Sequence, residues 1–175
     1  MDIKFNKISD FNPGILFDLL SDAYSFDKNI IDACIGKWRE SDSFFFDNLH
    51  IADECGFITT FKDEVIGFIN WDPRNLPQYA IIGDNCIISK YKGKGYGKLQ
   101  IQEAINRVIL HNVKKIFVST TNDLIPAQRM YKSVGFTRLD ISELEPWQIS
   151  QNMDIYYGID VSGGWRSCHK SIANS

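Results

Sequence analysis

The segment "CIISKYKGKGYGKLQIQEAI", residues 86–105, constrains the fold more than any other part of the chain. A β-rich apolar run ends, glycines follow at Gly93, Gly95 and Gly97, and an amphipathic stretch then puts Ile101, Ala104, Ile105, Val108 and Ile109 on one face. That is a strand passing through a glycine turn into a helix. The first amides of a helix lack partners within it and sit at the positive end of its dipole, so the geometry receives anions. Glycine allows the backbone to approach an anion with no side chain between. Lys90, Lys92, Lys94 and Lys98 add positive charge, and no acidic residue stands between Asp84 and Glu103. The whole chain has a net charge of −3, so the turn is a local reversal of sign. Without a broad basic face, nucleic acid is a poor partner and a small anion a good one.

The other elements follow from period and punctuation. "IKFNKI" alternates as a first strand, and "PGILFDLLSDAYSF" places Ile15, Leu16, Leu19, Leu20, Ala23 and Tyr24 on one helical face. "NIIDACIGKWRE" continues as a second helix, whereas "SDSFFFDN" gives no assignment. Two β-rich runs flank the turn Lys62-Asp63-Glu64 as a hairpin, and "YAIIGDNCIIS" is the strand that feeds the glycines. "KKIFVSTT" is a further strand, "PAQRMYKSVGF" a short helix with Gly135 at its end, and "DIYYGIDV" a last strand. A hairpin followed by strand–helix alternation indicates an α/β mixed sheet. At 175 residues the chain suits one domain with a real core. We place that domain at residues 1–161 and a tail at 162–175.

"MDIKFNKISD" lacks the pattern of a signal peptide, and no run approaches the about 18 apolar residues of a membrane span. The four cysteines have no CxxC pairing and only three histidines to join them, so no zinc site is expected. A reduced, cytoplasmic protein without a membrane partner is the expectation.

Three ligands compete for the glycine turn. A Walker loop needs Ser or Thr after its Gly-Lys, and here Gly97-Lys98 is followed by Leu99. A dinucleotide fingerprint needs G-x-G-x-x-G and a later acid; the spacing here is G-x-G-x-G, and "KKIFVSTT" ends without one. The pyrophosphate of coenzyme A is the third, and a plain surface turn stands beside it.

A second motif lies downstream. Lys92-Gly93-Lys94-Gly95-Tyr96-Gly97 resembles the acetyl-CoA loop (Arg or Gln)-x-x-Gly-x-(Gly or Ala) of the GNAT superfamily of N-acetyltransferases. Ala127, Tyr131 and Gly135-Phe136 match that family's Ala-x-x-x-Tyr-x-x-x-Gly-Phe. The matched region spans about residues 81–136. Lys92 departs from the usual Arg or Gln, keeping the charge without the planar fork. Asn122 falls two residues earlier than the family's usual asparagine.

The resemblance implies a GNAT-like fold: a mixed, mostly antiparallel sheet of about six to seven strands with about four helices. It implies acetyl-CoA as donor, no metal, and direct transfer to an amine on a small molecule or peptide; it also allows a homodimer. Pantetheine would lie in a splay beside Cys86, Ile87 and Ile88, with pyrophosphate on the turn from Lys92 and Gly93 through Lys98. Asn122, Ala127 and Met130 complete the implied cofactor contacts. Tyr131 matches the family's general acid. For the base, Asp84 shares strand parity with Ile82, Cys86 and Ile88, and burial there would raise its pKa; Trp71 and Asp72 are further acceptor-side candidates. Residues 11–48, with Tyr24, Phe26, Trp38, Asp22, Asp27, Glu40 and Asp42, would shape the acceptor site. A non-catalytic acyl-CoA-binding module and a nucleotide-binding protein are the rivals.

Overall fold

The computed structural model describes residues 2–145 and 153–163. The first layer of architecture is a sheet of seven strands. These are β1 (Ile3–Asn6), β2 (Gly56–Phe61), β3 (Glu64–Asp72), β4 (Tyr79–Ile87), β5 (Lys115–Thr120), β6 (Thr137–Leu139) and β7 (Ile155–Asp160). Their order across the sheet is β1-β2-β3-β4-β5-β7-β6. Every neighbouring pair is antiparallel except β4 and β5, which run parallel. This is the mixed α/β sheet expected from the sequence. β6 was not foreseen, because three residues are too few to show an alternation.

Among the described residues five helices flank the sheet, against about four expected: α1 (Ile15–Ala23), α2 (Lys28–Asp47), α3 (Leu49–Cys55), α4 (Tyr96–Ile109) and α5 (Ile125–Ser133). The stretch left unassigned, "SDSFFFDN", continues α2, because Trp38, Asp42 and Phe45 form one buried stripe at helical spacing. α5 carries proline in its first turn and Gly135 beyond its end, with φ +104°. Alternate residues of the central strands serve two cores. Phe57, Ile69, Ala80 and Ile82 pack with Ile101, Ile105 and Tyr131 of α4 and α5. Ile58, Phe68 and Cys86 pack with Leu16, Leu20 and Trp38 of α1 and α2. Beyond Gly163 the expected tail lies outside the described residues, and among the described residues no helix is long and apolar enough to cross a membrane.

One irregularity positions the site. Ile69 pairs with Asn85 and Trp71 with Ile82, so β4 holds an extra residue opposite Asn70. This bulge at Gly83-Asp84 reverses the alternation. Ile82 therefore packs with α4, whereas Cys86 packs with α1, and the shared parity expected for the two fails. Asp84 keeps the face of Cys86, where it meets Ser41 of α2. The bulge also bends β4 away from β5: parallel pairing stops at Ile82 and Val118, while the strands continue to Ile87 and Thr120.

Candidate active site

The opening between the ends of β4 and β5 leads into a cleft of about 740 Å³. β4 contributes Asn85, Cys86 and Ile87, the glycine turn contributes Lys92, Gly93, Gly95, Tyr96, Gly97 and Lys98, and α5 contributes Ala127 and Met130. Of the cofactor residues expected from the sequence, only Ile88, Lys94 and Asn122 lie outside this lining. The backbone of Asn122 is held in place, its N–H donating to Asp154 at 3.3 Å and its carbonyl accepting from Gln128 at 3.0 Å. The Lys94 ammonium stands 5.1 Å from the Tyr91 ring.

The turn itself has the geometry of an anion receptor. Gly93 and Gly95 take φ values of +72° and +87°, and α4 starts directly after Gly95. None of the amides of Gly93, Lys94, Gly95, Tyr96 and Gly97 donates to a described backbone or side-chain acceptor; the first that does is Lys98, to Gly95 O at 3.1 Å. Gly97 has a different task. A Cβ there would come within 2.9 Å of Met130 Sδ, so glycine lets α4 and α5 close on one another beneath the cleft. Lys98 and Arg129 leave the lining with positive charge beyond that of the amides.

Lys92 does not sit as a free phosphate ligand. Its ammonium donates to the Ala23 carbonyl at the end of α1 and lies 4.4 Å from the Phe26 ring. Burial lowers its pKa. Asp22 reinforces the same join, accepting from the Ser89 amide at 2.6 Å. α1 is thereby clasped to the turn, and Ala23, Tyr24 and Phe26 become the opposite wall of the cleft.

The two candidate catalytic groups stand on opposite faces of β4. Tyr131 is buried on the α4–α5 side, with rings of Phe136 and Tyr157 at 5.9 and 6.1 Å and Asn85 Nδ2 3.4 Å from its hydroxyl. Burial raises its pKa, and the Asn85 contact offsets part of that. The phenol is thus protonated at neutral pH. Asp84 is on the α1–α2 side, accepting from Asn70 Nδ2 at 3.1 Å and Ser41 Oγ at 3.5 Å. Burial raises its pKa against those two hydrogen bonds, which moves a carboxylate toward use as a base. Tyr24 stacks on Trp38 at 5.5 Å; burial raises its pKa, and Tyr131, Cys86 and Asp84 act on it in the same direction. Burial also pushes the Cys86 thiol up, away from nucleophilic use.

Several acceptor-side candidates are committed to structure. Asp42 accepts from the amides of Gly14 and Leu16 at 2.8 and 3.0 Å, capping α1 where Gly14 has no side chain to do so. Asp27 caps α2 through the Asn29 amide at 2.9 Å. Trp71 is buried in the α4-side core, and Asp72 pairs with Arg74. Glu40 is exposed. Asn85 and Arg129 were not foreseen. The spacing of Pro126, Arg129, Met130 and Ser133 traces one face of α5, which periodicity could have exposed; nothing local marks Asn85. Among the described residues no group of His, Cys, Asp and Glu could hold a metal ion.

A model of the acetyltransferase (GNAT) family matches residues 16–136. The chain belongs to that family. Solved GNAT-fold structures agree in architecture. PaiA N-acetyltransferase of Thermoplasma acidophilum, in complex with coenzyme A, aligns with a TM-score of 0.74 at 15% identity, covering 91% of this chain and 99% of that one. An acetyltransferase from Streptococcus agalactiae gives 0.68 at 18% identity, over 90% and 98% of the two chains. yncA of Salmonella typhimurium, with its cofactor acetyl-CoA, gives 0.66 at 11% identity over 99% and 98%. By sequence, no curated protein matches significantly.

Proposed function

We propose that this GNAT protein is an acetyl-CoA-dependent N-acetyltransferase that carries the acetyl group directly to an amine. One observation supports it above the others: β4 and β5 part at a cleft that continues into five amides without a described acceptor, and the strand that lines it, β4, carries the buried Tyr131 phenol on one face and the half-buried Asp84 carboxylate on the other. The cleft fits the donor on its own chemistry. Its amides and the cations Lys98 and Arg129 suit a pyrophosphate, and its mostly apolar walls suit a pantetheine chain.

Acetyl-CoA supplies the thioester, whose C–S bond breaks as the C–N bond to the amine forms. Tyr131 holds a proton for the sulfur as negative charge gathers there. Asp84 accepts the proton that the attacking nitrogen must lose. Asn70 and Ser41 keep the carboxylate oriented, and the glycine turn holds the far end of the donor so that the reacting groups meet in one geometry. Neither step calls for a covalent enzyme intermediate, which agrees with the elevated Cys86 pKa.

The test is thiol release from acetyl-CoA with a panel of amines: spermidine, an aminoglycoside, free amino acids, and a peptide with a free N-terminus. Acid catalysis of this type is worth roughly 10²–10⁴ in rate, so Tyr131→Phe should lower kcat by that order while the affinity for acetyl-CoA changes little. Equal losses in both would contradict the acid role. Acetyl-CoA binding with no thiol release from any amine would leave a non-catalytic acyl-CoA module as the better description.

A further inference from the structure

A buried polar chain runs from β2 through α4 and β4 to the phenol. Thr59 and Gln100 are both fully buried, an unusual placement for a Gln on the inner face of an amphipathic helix. Gln100 Nε2 lies 3.0 Å from Phe68 O and 3.1 Å from Cys86 O. Only an amide NH2 can face two carbonyls, so the orientation of Gln100 is determined. Its oxygen then accepts from Thr59 Oγ1 at 2.6 Å. Its two hydrogens are shared among these carbonyls and Asn85 Oδ1 at 2.8 Å; an amide nitrogen cannot accept, so the Asn85 atom facing it is the oxygen, and the Asn85 NH2 turns toward Tyr131. Gly67 makes the room: a Cβ there would sit 2.7 Å from Gln100 Oε1.

The direction of every bond is thereby set. We propose that Thr59, Gln100 and Asn85 form a positioning relay that makes the Tyr131 oxygen a hydrogen-bond acceptor from Asn85, an Asn that itself lines the cleft, and so leaves the phenol proton free for the sulfur. This rests on the reading of Tyr131 as the acid. The three are positioning residues, acting through Tyr131, and they explain why a buried phenol beside an apolar core holds one orientation. A phenol that donated to Asn85 would have no proton to offer the sulfur.

The experiment reads the phenol directly, in the free 175-residue chain, with carbon-labelled tyrosine and NMR. The Tyr131 ring carbon bearing the hydroxyl is assigned by its disappearance in Tyr131→Phe. Asn85→Asp keeps the shape and the bond from Gln100 but replaces the donor with a carboxylate. The phenol must then donate, and its signal should move toward the phenolate position. Thr59→Val does not touch Tyr131, yet it frees the Gln100 oxygen; it should also shift or broaden the signal, and Thr59→Ser should restore it. A Tyr131 signal unmoved by Asn85→Asp, or moved no more by Thr59→Val than by Thr59→Ser, overturns the relay.

Thiol release then separates this idea from the parent reading. Asn85→Asp should cost tenfold or more in kcat, and should add nothing to the kcat loss in a Tyr131→Phe background. A costly Tyr131→Phe beside a harmless Asn85→Asp defeats the relay alone. A harmless Tyr131→Phe defeats both.

Discussion

The bulge on β4 makes a quantitative demand on Gly83. A Cβ built there would lie 2.1 Å from Asn70 Oδ1. That oxygen is the end of a side chain, so Gly83→Ala is accommodated by turning Asn70 away, at the expense of both its bonds to Asp84. One of these is the Asp84 amide to Asn70 Oδ1 at 3.0 Å; the other is Asn70 Nδ2 to the carboxylate at 3.1 Å. A neutral bond contributes about 0.5–1.5 kcal/mol and one to a charged group about 1.5–3 kcal/mol, so the pair is worth about 2–4.5 kcal/mol. For a domain of this size that is a fall of roughly 4–18 °C in Tm. Thermal unfolding of Gly83→Ala, Asn70→Ala and the double variant decides the point. Asn70→Ala removes both the bonds and the obstacle, so Gly83→Ala should cost almost nothing further once Asn70 is truncated. Fully additive losses would refute the reasoning and place the strain of Gly83→Ala in the backbone.

Three further outcomes are expected. Asp84 has a folded pKa raised by burial, so the native state binds its proton more tightly than the unfolded chain, and this group's contribution to stability falls as pH rises through that window. Asp84→Asn should therefore gain stability relative to the wild type at neutral pH and lose the advantage in acid, while amine transfer drops; unfolding curves across pH check the sign, and a variant less stable at neutral pH would contradict it. Gly95→Glu forces a side chain into φ +87°, costing about 1–2 kcal/mol, and sets a carboxylate among the open amides; acetyl-CoA binding should vanish from a calorimetric titration of the folded variant, and unchanged binding would move the site elsewhere. Because the Lys92 ammonium is committed to Ala23 and Phe26, Lys92→Met should weaken acetyl-CoA binding by no more than about 1 kcal/mol, roughly fivefold, and a much larger loss would return Lys92 to the pyrophosphate.

The parts of this molecule legible in its sequence are those decided by neighbours along the chain. The inner face of α4 is a 3.6-residue period, the open amides follow from glycines before a helix, and Pro126 with Gly135 brackets α5. Strand parity was legible as far as Ile82 and failed at the bulge, where the deciding partner, Asn70, lies on another strand. The carboxylates Asp22, Asp27 and Asp42 read either as acceptor-facing charge or as an ordinary solvated polar face, and instead they hold backbone amides of Ser89, Asn29 and Gly14. Asp27 could have been recognised as an N-cap before a helix. The other two bond across 67 and 28 residues, and no local spacing records such a bond. Asn85 and Gln100 were hidden for the same reason, because their partners lie on other elements.

The central claim is that the splay and the glycine turn together form a receptor for the acetyl donor. Calorimetric titration of the purified chain with acetyl-CoA, with ATP and NAD as controls, tests it most directly. The account expects micromolar binding selective for the CoA compound, abolished by Gly95→Glu and little changed by Tyr131→Phe. No binding to the folded chain, or equal binding of ATP, would contradict it.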